Sequence, residues 1–285
     1  MIFLLLSIAC SAIINVIFKF FPRFGISAFQ AIVANYFVCV TIGLMLTTDW
    51  SFYDGFHKTP WFPWAIFMGS LFIICFSMMA KTVAVNGITV SAIASKLSLI
   101  ISVTAAFLLF PDEKPTALKI AGIVLAVAAV IFTTIKPGKT VSRKNTTLFY
   151  LLPIALLCCS GLIEIIIKHC QFNYLNSDED FVAFLVFLFG TAALIGALIM
   201  LGNGIVKRQT PSGKSLVAGV ILGIPNYGSI YFLMLALEKT GWGSAVVYPV
   251  NNVAIVMISA LVAVLFFREK LLSLIHISEP TRRIT

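Results

Sequence analysis

Apolar positions in this chain come in long, unbroken runs rather than in the stripes of a soluble helix or the alternation of a half-buried strand. About 20 consecutive apolar residues carry an α-helix across a bilayer. On that measure the runs predict nine membrane helices, at 2–20, 28–46, 63–80, 88–110, 117–135, 148–167, 181–201, 216–237 and 244–267. Lipid offers no hydrogen-bond partner, so each segment must satisfy its own N–H and C=O groups, and that selects helix. Barrel strands would alternate apolar and polar, and these runs do not. The first run has no basic leader and no small-residue cleavage site, and further runs follow at once, so it reads as a true first helix. Trp50, Trp61, Trp64 and Trp242 fall near segment ends, the level at which amphipathic rings favour headgroups.

The runs repeat. CSAIINVIFK (10–19) lies in register with CSGLIEIIIK (159–168), an offset of 149. GITVSAIASKLSLIISVTAAFLLFPDEK (87–114) pairs with GSAVVYPVNNVAIVMISALVAVLFFREK (243–270), an offset of 156, and both end L-F-x-x-E-K. At the same offset Phe76, Met78 and Ala80 fall on Phe232, Met234 and Ala236. Two matches in one order predict a duplication. A unit of five helices is odd-numbered, so its second copy enters from the opposite side as an inverted repeat. The expected fold is an all-α integral membrane protein of two inverted five-helix repeats. Residues 1–135 form the first repeat, 136–147 a basic connecting loop and 148–271 helices six to nine of the second.

The second repeat should have a helix after Glu269-Lys270, where the first has PTALKIAGIVLAVAAVIFTTI. In its place stands LLSLIHISEPTRRIT, too short and too polar to span. LSLIHISEPTR (272–282) is the translation of a transposase adapter used for sequencing libraries. The expectation is therefore that 272–285 derives from adapter and that the tenth helix is missing.

Composition agrees with lipid as the main solvent. Hydrophobic residues are 60% of 285, charged residues 11%, and the mean hydropathy is +1.04, against about a quarter charged in soluble domains. The net charge of +9 sits singly or in small clusters between runs, which argues against a nucleic-acid face. The six cysteines lie in or beside apolar segments without metal-ligand spacing. His57, His169 and His276 are scattered, and no catalytic or phosphate-binding motif is present, so neither enzyme chemistry nor a cofactor is expected. Loop lysines and arginines favour an N-terminus outside.

The pieces SAIASKLSLIISV (91–103), EKPTALKIAGIVLAVAAVIF (113–132), LGIPNYGSIYF (222–232) and YPVNNVAIVMIS (248–259) resemble the drug/metabolite transporter superfamily, EamA type, over residues 1–271. That resemblance implies ten helices in two halves, secondary transport (most often export of small metabolites or amino-acid-like compounds), a cavity between the halves and an N-terminus inside. Composition and resemblance disagree on orientation, which stays open.

Intramembrane polar residues are the candidates for a site. Lys96 stands eight residues into its segment, about 12 Å at about 1.5 Å per residue. A charge there costs roughly 2.5–3.5 kcal/mol to insert, which favours a cavity-lining role over snorkelling. Ser91, Ser95 and Ser98 extend its stripe, and under the repeat Ser95 and Lys96 fall on Asn251 and Asn252. Interhelical hydrogen bonding is the competing account of those pairs. GIPNYG (223–228), with Pro225, Asn226 and Tyr227, predicts a kink, read evenly as a broken helix lining the site or as a plain packing kink, and Tyr248-Pro249 repeats the signal more weakly. Asn35 and Gln30 are further substrate-binding candidates. Glu164, three residues from the end of its run, pairs with Lys168 as an interfacial ion pair or carries a coupling proton.

The expected function is a secondary transporter in the cell's inner (plasma) membrane. Its partners would be lipid, a small-molecule substrate, a coupling proton or other ion, and a second copy of the chain. The rival is a membrane-embedded enzyme or a non-transporting scaffold, for which Lys96 and its serines are the only hint.

Overall fold

The computed structural model describes residues 1–47, 55–98, 100–101, 104–105, 108, 116–117, 120–121, 124, 146–175, 177–207 and 210–267. Regular structure among them is helical throughout: α1 (Ile2–Phe24), α2 (Ala28–Leu46), α3 (Phe62–Asn86), α4 (Ile88–Lys96), α5 (Thr146–Asn173), α6 (Asp178–Lys207), α7 (Gly213–Lys239) and α8 (Ser244–Phe267), with one 3-10 turn at Phe56–Lys58. All but α4 are long and apolar enough to cross a membrane. The chain is a multi-pass, all-helical membrane protein. Of the fourth and fifth predicted segments, 97–110 and 117–135 lie mostly outside the described residues. So do most of the 136–147 loop and the tail beyond 267.

The helices outrun the apolar segments that predict them. α1 continues past residue 20 until Gly25 adopts φ 64°, where the Ile26 N–H returns to the Phe21 carbonyl at 2.9 Å. α3 runs to Asn86, beyond the predicted 80, and stops at Gly87 with φ 94°. An apolar run measures the hydrocarbon, whereas hydrogen bonding carries a helix on until a residue ends it. α7 is helical straight through Pro225, so of the two readings of GIPNYG the broken helix is not observed; membrane helices tolerate proline in this way.

The first four helices do not bundle apart from the last four. α1 packs on α7 and α8, α2 on α7 and α6, α3 on α6 and α5, and α4 on α5 and α8. The largest core runs through both groups, with Phe18, Tyr36 and Met68 beside Phe184, Phe189 and Tyr227. Glycines set the closest approaches, as small residues do where lipid gives helices no hydrophobic drive to associate. A Cβ on Gly223 would lie 2.6 Å from Val38 Cβ and 3.0 Å from the Asn35 carbonyl. One on Gly69 would meet Thr191 Cβ at 2.7 Å and the Leu188 carbonyl. One on Gly43 would meet Val186 at 2.6 Å, and one on Gly196 would meet Val33 at 2.6 Å. These last contacts set residues 33 and 43 of α2 beside 196 and 186 of α6, so the two helices run antiparallel.

Trp61, at the N-terminal end of α3, is buried within the protein. It is 1% exposed, packs edge-on to Phe184 and donates from its indole to Asp180 Oδ1 at 3.1 Å. Asp180 lies in the first turn of α6 beside Asp178 and Glu179, where the helix dipole favours negative charge. Ser177 caps that turn by accepting the Asp180 N–H at 3.1 Å.

Candidate functional site

A cavity of about 130 Å³ opens where α1, α3, α4, α5, α7 and α8 meet. Its apolar wall is chiefly α3, with Phe72, Phe76 and Met79. Its polar side chains are Ser11 and Asn15 from α1, Ser95 from α4, Ser160 and Glu164 from α5, Asn226 and Ser229 from α7, and Asn251 from α8. Cys75 of α3 lies 3.6 Å from the Ser160 hydroxyl.

The lining residues fall into numerical pairs. Ser11 and Ser160, Ile14 and Ile163, and Asn15 and Glu164 are each 149 residues apart. Phe72 and Asn226, Cys75 and Ser229, Phe76 and Ile230, and Met79 and Leu233 are each 154 apart, while Ser95 and Asn251 are 156 apart. For α3 and α7 the lining pairs differ by 154, two less than the offset of 156 read from the sequence.

Glu164 is 8% exposed and Lys168 likewise 8%. Both side chains are thus buried inside the protein, and α5 continues past the apolar run at 167 to Asn173. Glu164 Oε1 accepts the Ser98 hydroxyl at 3.2 Å and the Asn252 amide at 3.1 Å, and the Tyr248 hydroxyl donates to the Glu164 backbone carbonyl at 3.4 Å. Asn252 and Tyr248, substrate-binding candidates in the sequence, both bond Glu164.

Asn226, wholly buried, donates to Asn35 Oδ1 at 2.9 Å. Asn35 in turn donates to the Ile32 carbonyl at 3.2 Å and accepts the Cys39 thiol at 3.5 Å. Asn35 thus positions Asn226 from behind and does not line the cavity. Asn15 donates to the Ser11 carbonyl and to the Ser259 hydroxyl, both at 3.3 Å. Ser95 and Ser229 direct their hydroxyls at the Ala92 and Asn226 carbonyls, at 3.1 and 2.8 Å. The amide oxygens of Asn15, Asn226 and Asn251 are buried without a hydrogen-bond partner. Such a group costs about 1–3 kcal/mol.

Of the other residues singled out in the sequence, Tyr227 is 3% exposed and packs near Phe189 with ring centroids 6.0 Å apart, away from the cavity. Gln30 clips the turn before α7, donating to Thr210 O at 3.2 Å and accepting Ser212 N–H at 2.9 Å. Lys96 closes α4, and its side chain lies outside the described residues. Asn15, Ser11, Ser160 and Ser229 were not among the candidates. The one available signal was that Asn15 stands opposite Glu164 in the repeat.

No family model matches the chain. The chain is 28% identical over 272 residues to an uncharacterized protein of Haemophilus influenzae strain Rd, covering 94% of this chain and 90% of that one. A crystal structure of another protein aligns over 90% of this chain and 88% of that chain, with a TM-score of 0.59 at 15% identity. That likeness is one of fold.

Proposed function

We propose that the chain is a secondary transporter of the drug/metabolite, EamA-like kind, residing in the cell's inner membrane. It would move a small metabolite, most often outward, by alternating access of two inverted repeats. The observation that carries this reading is the pairing of the cavity lining at constant offsets. A pocket framed by equivalent residues of two halves lies on their pseudo-two-fold, where inverted-repeat transporters bind substrate.

Helix packing supports the same relation. Exchange α1–α4 with α5–α8 and the main contacts map onto one another: α1 on α7 becomes α5 on α3, α2 on α7 becomes α6 on α3, and α1 on α8 becomes α5 on α4. The glycines obey it at the atomic level. Gly69 against Leu188 and Thr191 corresponds to Gly223 against Asn35 and Val38, and Gly43 against Val186 to Gly196 against Val33. Equivalent helices α2 and α6 run antiparallel, as an axis in the membrane plane requires. Two halves sharing one core and one cavity can rock against each other and expose the site to either side in turn.

The test is flux. In inverted and right-side-out vesicles carrying the chain, a panel of labelled metabolites should include at least one that moves faster than in empty vesicles. Ser160→Trp, which fills the cavity from α5, should bring that flux to background while the protein still inserts. Equal flux in the Trp variant, or none for any solute, would remove the reading.

A further inference from the structure

Two thiols meet where α3 crosses α5. All six cysteines are reduced in this structure. Cys75 of α3 is 6% exposed and lines the cavity, and its sulfur lies 3.6 Å from the Ser160 hydroxyl. Cys159, the residue before Ser160, is half-buried and donates to the Leu71 carbonyl at 3.8 Å. Leu71 stands one helical turn before Cys75, so both contacts bring the two sulfurs to the same face of one crossing. The Cys75 and Cys159 thiols are in hydrogen-bond contact with each other. At the crossing of α1 on α7, reached by the offsets 149 and 154 of the lining pairs, stand Cys10 and Ser229. Of these two crossings, only α3 on α5 holds two thiols.

We propose that Cys75 and Cys159 are a peroxide-responsive clamp, closing to a disulfide that ties α3 to α5 and stops the two helices moving apart. Two steps complete the bond. Cys75 meets a water-borne oxidant first, because it lines the cavity. Its sulfur attacks one oxygen of hydrogen peroxide, the O–O bond breaks, and the products are Cys75 sulfenic acid and water. The Cys159 sulfur then displaces that hydroxyl group, which leaves as a second water, and the S–S bond forms. Two thiol hydrogens and two electrons have passed to the peroxide. Burial slows the first step, since the thiolate is the nucleophile and apolar surroundings disfavour it. The Ser160 hydroxyl works against that by donating to the Cys75 sulfur as its proton leaves. The second step needs no encounter, because the resolving thiol is already in place. In the transporter reading α3 and α5 belong to different halves, so the bond would also block their rocking. That consequence rests on the reading; the bond itself does not.

The experiment treats the purified full chain in detergent with hydrogen peroxide, caps the remaining thiols with N-ethylmaleimide under denaturing conditions and maps linkages by mass spectrometry of a digest. The six reactive thiols should fall by two, with residues 75 and 159 in one linked pair of peptides, and dithiothreitol should restore them. The linked chain should also unfold at a higher temperature than the reduced one. Cys75→Ser and Cys159→Ser should each abolish the linkage, whereas Cys158→Ser should keep it. Linkage chiefly through Cys158, Cys10 or a second chain, or oxidation to sulfinic acid with no linkage, would each overturn the proposal. Six thiols surviving peroxide that oxidises free glutathione would do the same, and so would an unfolding temperature that linkage leaves unchanged. Vesicle flux separates the two readings. A solute moved by the reduced chain should slow at least about tenfold on oxidation and recover with dithiothreitol, while Cys159→Ser should move it with or without peroxide. A linked chain that moves the solute as fast as the reduced one overturns the clamp. A linked chain with no solute moved in either state sinks transport and leaves this inference standing.

Discussion

Asn35 and Asn226 form a buried amide pair between α2 and α7, and only the second reaches the cavity. Two magnitudes compete in judging its worth. Hydrogen bonds in membrane proteins average about 0.6 kcal/mol, because the unfolded chain in lipid also finds partners. A buried donor stranded by mutation costs about 1–3 kcal/mol. In Asn35→Ala the Asn226 NH₂ would be left with only the Cys39 sulfur at 3.7 Å, so the stranding term should win. Unfolding in graded denaturing detergent should show a loss of about 1 kcal/mol or more; no measurable loss would mean that the pair merely fills space. At this scale the sequence was half legible. Polar residues deep in apolar runs stood out, and Ser95, Asn226, Asn251 and Glu164 do converge on one cavity. Which amide touches the cavity and which stands behind it depends on a few tens of degrees around each helix. Asn35, Tyr248 and Asn252 bond to other polar groups instead of lining the cavity, and Gln30 bonds the turn before α7.

Between elements, the close approaches belong to glycine, and their equivalence gives a paired prediction. Gly69→Val and Gly223→Val each push a methyl-bearing carbon into the backbone of the facing helix. Overpacking of this kind costs about 1–3 kcal/mol, and the two variants should lose thermal stability by similar amounts in detergent. Gly202→Val, where an added Cβ meets nothing within 4 Å, should change little. Tolerance of one crossing variant but not its counterpart would break the equivalence. Element type was written in the apolar runs because hydrocarbon thickness sets a minimum length. Helix ends were not, since they depend on stop signals such as Gly25 and Gly87.

For the whole molecule, an inverted arrangement predicts sidedness. Phe24, near the end of α1, and Asn173, near the end of α5, are 149 residues apart and both exposed. In a cysteine-free background, Phe24→Cys and Asn173→Cys should react with a membrane-impermeant maleimide from opposite faces of sealed vesicles. Labelling from the same face would exclude the inversion, and whichever face Phe24 takes also settles the orientation on which loop charge and family resemblance disagree.

The sequence alone determined that this chain lives in lipid as helices, because 60% apolar residues in runs of spanning length leave no other way to satisfy the backbone. Tertiary structure decided the rest: which polar residues line one cavity, the burial of Glu164, and the partner of each amide. Those follow from how helices rotate and interlock on contact. In a lipid solvent that rotation is set by van der Waals fit at glycines and by buried hydrogen bonds, not by the hydrophobic pattern that the sequence displays.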